Sequence, residues 1–170
     1  MCQLTNPAST GNAGPAFETV VGAAFLATLL VRGAPLALGA GTLDAVHFQA
    51  GHLGQATEDF LLEATTPSGQ RDKALVQVKR SFVLSETNDE CVQTVKRAFS
   101  DFQNQALFNQ DRDVVALVTS SLSARLVRGL RTLLDCARAA TSSEDMIRRL
   151  ELFAHATRIN TSCCARTKYL

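Results

Sequence analysis

Phe17, Val20, Val21, Ala24, Phe25 and Leu29 recur at three- and four-residue spacing, the stripe of a helix with one buried face. Pro15 suits the first turn of that helix, where its missing N–H would have no partner. Gly33 and Pro35 end it near Arg32. Residues 1–14 before it are polar and turn-rich and read as a mobile leader. After the Gly39-Ala40-Gly41 loop the apolar period changes to two. Ala45–Ala50 alternates as a strand, Asp59–Thr65 is a second and Ala74–Arg80 a third, with Gly51–Thr57 as loop and Pro67-Ser68-Gly69-Gln70 as a turn. In the third strand Leu75, Gln77 and Lys79 point one way, and Ala74, Val76, Val78 and Arg80 the other. The short turn makes the second and third strands an antiparallel hairpin.

Ser85–Glu90 carries helix-start chemistry, and the helix it opens is expected to reach Gln105 with Val92, Val95, Phe99 and Phe102 inward. Val114–Thr119 is apolar throughout and predicts a fourth, central strand. Ser121 or Ser123 caps a helix running to Ala139, and Glu144–Ile159 is a last helix. The order predicts an α/β domain over residues 15–160, a mixed sheet of about four or five strands flanked by helices. Residues 161–170 read as a tail or the start of a linker. No internal repeat interrupts this plan.

Composition supports a packed core, with 170 residues of which 46% are hydrophobic. No apolar run reaches the length of a membrane span: Val20–Val31 is too short and is broken by Thr28. No basic residues precede it as they would in a signal peptide. The five cysteines (Cys2, Cys91, Cys136, Cys163 and Cys164) are odd in number and irregular in spacing. They read as reduced thiols of a cytoplasmic protein and not as a zinc site. There is no Gly-x-x-x-x-Gly-Lys-(Ser/Thr) loop for an NTPase and no Gly-x-Ser-x-Gly elbow for a hydrolase nucleophile. His47, His52 and His155 have no partner at ligand spacing. Charge is asymmetric. Residues 1–70 hold five acids against Arg32, a net −4, and residues 71–170 carry net +5, which suits an anionic partner. Arg125, Arg128, Arg131 and Arg138 share one side of their helix, either a solvated face or a phosphate-tracking row. With Arg80 they are the candidate nucleic-acid contacts.

The informative constellation is Asp59 at the start of one hairpin strand and Gln77-Val78-Lys79 on the next. An ammonium group in an otherwise apolar strand is costly unless paired, and Asp59 would offset that cost. A carboxylate and an amide oxygen are hard ligands that Mg²⁺ accepts. Such an ion lowers the pKa of a bound water and stabilises charge on a phosphate undergoing attack, where a neighbouring lysine adds positive charge. Glu18 can join the set from the first helix, although the helix dipole alone favours an acid in a first turn. Glu58 takes the place of Asp59 if a bulge swaps them, and Glu63 shares the face of Asp59 as a further ligand or a partner of Lys79.

Asp59, the Gln77-x-Lys79 tripeptide and helical Glu18 in Gly14-Pro15-Ala16-Phe17-Glu18 resemble the PD-(D/E)xK, or restriction-endonuclease-like, nuclease core. The order continues through Ala98-Phe99-Ser100-Asp101-Phe102, Phe108-Asn109 and Asp113–Thr119. Over residues 14–160 it looks like the double-stranded-DNA endonuclease effector domain of bacterial antiphage proteins activated by cyclic oligonucleotides or built on STAND NTPases. The resemblance implies hydrolysis of DNA phosphodiesters with Mg²⁺ or Mn²⁺ held by Asp59 and Gln77, assisted by Glu18, with Lys79 near the nucleophile or scissile phosphate. It also implies double-stranded DNA as partner, a homo-oligomer, and a fused or associated sensor or NTPase module. Glu58 stands where the family often has Pro, and Gln77 where it often has an acid. The alternative is a catalytically degenerate nucleic-acid-binding or assembly module on the same fold.

Overall fold

The computed structural model describes residues 13–35, 38–39, 41–85 and 87–152. Its elements are α1 (Ala13–Leu30), β1 (Thr42–Phe48), a 3₁₀ turn (Ala50–Leu53), β2 (Phe60–Thr65), β3 (Arg71–Lys79), α2 (Asp89–Gln103), β4 (Val114–Thr119) and α3 (Ala124–Ala139). Residues 143–152 are also helical. Most of the leader, Cys2, Cys163, Cys164, His155, the end of the last helix and the 161–170 tail lie outside the described residues. The chain divides into two compact units between Ser121 and Leu122, a division inside the 15–160 span.

In the first unit the four strands make one mixed α/β sheet in the order β1-β2-β3-β4. The first three run antiparallel in sequence, and β4 lies parallel to β3 across the α2 connection. Gly69, at φ 81°, makes the left-handed residue of the β2–β3 turn. The period-two pattern of β3 is realised as expected. Ala74, Val76 and Val78 join Phe60, Leu62 and Ala64 of β2 under Phe17, Val21, Phe25 and Leu29 of α1. Leu75 and Leu61 point to the other face with Ala50 and Phe108. Gly22 lets α1 approach closely, since a Cβ there would stand 3.0 Å from the Phe48 ring and 3.2 Å from that of Phe60. Phe25 and Phe48 meet Phe60 edge-on, at 5.5 and 5.2 Å between centroids. With 18 residues and mean hydropathy 1.5, α1 has the length and composition of a membrane-crossing helix, more than the Val20–Val31 run suggested. Its inner stripe packs on the sheet, while Val20, Leu26 and Leu30 are exposed.

Two expectations need correction. Among the described residues β4 is an edge strand, not a central one. Its apolarity reports packing on both faces, only partial on the second: Val114, Ala116 and Val118 are partly buried on the α1 side and Val115 on the other, where Leu117 is 39% exposed. Apolar contacts on a strand's faces do not require two paired edges. In α2, Val95 and Phe99 are 57% exposed and Phe102 is 41% exposed, and the buried side chains are Cys91 and Asp101. Polar anchors set the rotation of this helix. The Asp101 carboxylate accepts from the N–H groups of Ala56 and Thr57, each at 2.6 Å. Arg97 pairs with Glu58 at 2.9 Å. Asn88 caps the start by accepting from Cys91 N–H at 2.8 Å.

In the second unit Ser123 caps α3 through Leu126 N–H. Arg125, Arg128, Arg131 and Arg138 are all exposed, and Arg138 reaches Asp135 at 3.4 Å. Ser142 caps the helical residues 143–152 by accepting from Asp145 N–H at its Oγ, and Asp145 Oδ2 accepts from Thr141 N–H, one residue before the cap. Hydrogen bonds from Arg148, then Arg149, then Thr141 hold the Asp145 carboxyl well below the usual carboxylate range. A depressed folded-state pKa stabilises above the unfolded value and is lost as pH falls through the folded one. Amide-exchange protection of residues 143–152 is therefore expected to fall as pH drops below about 4. In Asp145→Asn it is expected to be weaker at neutral pH and to lack that acid step.

Candidate active site

The C-terminal end of β3 meets the first turns of α1 and α2 and the loop entering β2. A cleft of about 420 Å³ opens there, lined by Glu18 of α1, Asp59, Val78, Lys79, Arg80 and Glu90 of α2. Asp59 sits one residue before β2, and its Oδ2 accepts from both the Gln77 amide nitrogen and Val78 N–H, the latter at 2.6 Å. Among the described residues no donor is recorded on Oδ1. Gln77 is 5% exposed, and its amide is oriented by this contact. The hairpin thus brings Asp59 against Gln77 and places it in one cleft with Lys79.

Lys79 is not paired with Asp59. Its ammonium group lies 3.1 Å from Glu90 Oε1, with side-chain exposures of 27% and 54%. Glu18 lines the same cleft and accepts from Gln49 Nε2 at 3.1 Å. Gln49 is left-handed, at φ 53°, and its own N–H donates to Asp59 O at 3.0 Å. One residue therefore fixes the backbone beside one acid and the side chain of another.

The other candidates are placed elsewhere. Glu58 is held by Arg97, so Asp59 and not Glu58 faces the cleft. Glu63 pairs with His47 at 3.6 Å and takes no part with Lys79. His52 Nδ1 lies 2.7 Å from Gln49 O. Cys91 and Cys136 are free thiols. Arg80 lines the cleft and is exposed, while Arg125, Arg128 and Arg131 belong to the second unit.

For a divalent cation the donor chemistry fits in part. The carboxylates of Asp59 and Glu18 are hard oxygen donors around one cleft, and Mg²⁺ is commonly held by one or two carboxylates with water and substrate phosphate. Among the described residues no three His, Cys, Asp or Glu side chains gather closely enough to hold an ion alone. Gln77, expected as a ligand, turns its nitrogen and not its oxygen to Asp59. In this arrangement it orients the acid. Glu90 and Gln49 were not singled out from the sequence. Glu90 was visible only as part of a polar helix start, and Gln49 carried no signal. Compared with protein-family models, curated proteins and solved structures, the chain has no match in any of the three.

Proposed function

We propose that the chain is a metal-dependent DNA endonuclease module on a restriction-endonuclease-like fold, hydrolysing phosphodiester bonds with low sequence specificity. The observation that carries this reading is the gathering of Asp59, Gln77 and Lys79 at one end of two paired strands, with Glu18 in the same cleft. Glu18 lies on α1, Asp59 just before β2, and Gln77 and Lys79 on β3; a capped helix, α2, and an apolar strand, β4, follow them, the order that the resemblance implies. The antiphage setting, and activation through oligomerisation by a sensor or NTPase module, belong to the same proposal.

Each residue has a role that its chemistry supports. The two N–H donors on Oδ2 fix the Asp59 carboxylate, leaving its other oxygen for a cation shared with Glu18. Bound there, Mg²⁺ or Mn²⁺ supplies a more acidic water and neutralises charge at the scissile phosphate. Lys79 binds the phosphate and stabilises the charge that builds on it. Arg80 contacts the backbone beside it, and the positive N-terminal ends of α1 and α2 favour the same anion. Cationic groups of this kind position a duplex and carry no base information. A degenerate nucleic-acid-binding or assembly module is the second reading, favoured by the nitrogen-first orientation of Gln77.

Plasmid cleavage tests the choice. Supercoiled DNA is expected to be nicked or linearised with Mg²⁺ or Mn²⁺ and left whole with EDTA. Lys79→Ala is expected to lose cutting while keeping its fold and most DNA affinity. Intact plasmid with both metals and oligomeric protein transfers the assignment to the binding module.

A further inference from the structure

We infer that Glu90 is a built-in competitor for phosphate at Lys79, which makes polyanion binding in the cleft depend on a divalent cation; this rests on the nuclease reading. The cleft holds three carboxylates, Glu18, Asp59 and Glu90, against two cations, Lys79 and Arg80. Its formal side-chain balance is negative, so without a cation it takes phosphate less readily than its two cations alone would. The sequence pattern assigns Asp59 to offset the cost of the strand lysine, yet the carboxylate beside the ammonium group is that of Glu90, at 3.1 Å. An acid in a first helical turn is favoured by the dipole, and Asp89 already meets that demand. The dipole does not account for the direction of Glu90 toward β3.

Both partners are partly in water, and an exposed ion pair of this kind is weak and easily exchanged. A phosphate can therefore displace Glu90 from Lys79, but only against the charge of the carboxylates left behind. A divalent cation removes that obstacle by neutralising Asp59 and Glu18. Glu90 thus sets the threshold for binding. It is a positioning residue for Lys79, not a group that touches the reacting atoms.

The test is binding of a short fluorescent duplex to the full chain, followed by anisotropy in EDTA and in calcium over a range of salt. In EDTA, Glu90→Gln is expected to bind about three- to fivefold more tightly than the wild type. Its slope of log affinity against log salt is expected to steepen by about 0.9, since Lys79 now neutralises one more phosphate. Lys79→Ala/Glu90→Gln is expected to lose both gains. Glu90→Asp keeps the charge and is expected to keep the wild-type slope, which a purely structural role for Glu90 would not require. Equal or weaker binding by Glu90→Gln in EDTA with an unchanged slope overturns the inference, even where the wild type binds and cuts with metal. A wild type that ignores calcium while Glu90→Gln gains affinity in EDTA upholds the competition at Lys79 and overturns the metal site. No binding by either protein in any buffer overturns both.

Discussion

Asp59→Asn is expected to slow plasmid cleavage by about 10²- to 10³-fold while leaving the protein folded. On the proposed reading the Asp59 side chain serves two purposes that this substitution separates. Its Oδ2 is a hydrogen-bond acceptor for Gln77 and Val78, and an asparagine carbonyl oxygen can keep that role. Its negative charge draws a cation into a cleft that also contains Lys79 and Arg80, and asparagine cannot replace that. Stability should therefore change by about 1 kcal/mol, the worth of weakening two retained hydrogen bonds to a half-buried group. The rate should fall steeply, and raising Mg²⁺ should recover only part of it. Single-turnover cleavage over a Mg²⁺ series, beside a urea unfolding curve, checks both halves. Wild-type cutting by Asp59→Asn would remove the acid from the mechanism. Gln77→Ala provides the contrast. It leaves the charge in place but removes one of the two hydrogen bonds that hold the carboxylate, and the expected loss is about 10- to 100-fold, the usual cost of removing a group that orients a ligand.

What the sequence discloses depends on which physical force fixes each feature. β3 was legible because its alternation is enforced by two apolar layers, one under α1 and one around Leu61 and Phe108. A slip of one residue would turn Val76 and Val78 away from their core. The hairpin followed from its turn, and with it the approach of Asp59 to Gln77 and Lys79. α2 was legible as a helix but not in its rotation. Val95 and Phe99 have helical spacing and still face water, and Phe102 stays 41% exposed beside Phe108, because two hydrogen bonds to the buried Asp101 carboxylate outweigh the stripe. No local pattern marks such a long-range polar contact. The partner of Lys79 was hidden for the same reason. Glu90 is one of several acids near a helix start, and only the fold shows which of them reaches β3. Gln49 lies at a left-handed position that glycine or asparagine would ordinarily signal, so its sequence gave no warning.

The same buried carboxylate sets the second large effect. Asp101 is 2% exposed, and both of its oxygens are engaged, Oδ1 by Ala56 N–H and Oδ2 by Thr57 N–H. Asp101→Ala leaves two backbone donors without acceptors in a region largely closed to water. Each such donor costs about 1–3 kcal/mol, so the expected destabilisation is about 2–6 kcal/mol, read as a lower urea midpoint at unchanged slope. Asp101→Asn retains one acceptor but turns an amide nitrogen toward the second donor, and should lose roughly half as much. Arg97→Ala, which breaks the exposed pair to Glu58 on the same helix, should cost about 1 kcal/mol or less. The comparison separates a helix anchored by its buried acid from one held by surface charge. It also bears on the cleft, because Ala56 and Thr57 lead directly into Asp59. If Asp101 sets the path of that segment, Asp101→Asn studied well below its unfolding midpoint should still cleave more slowly than the wild type, whereas Arg97→Ala should not. Equal rates for the two variants would show that the Gln77 and Val78 contacts alone are enough to place Asp59.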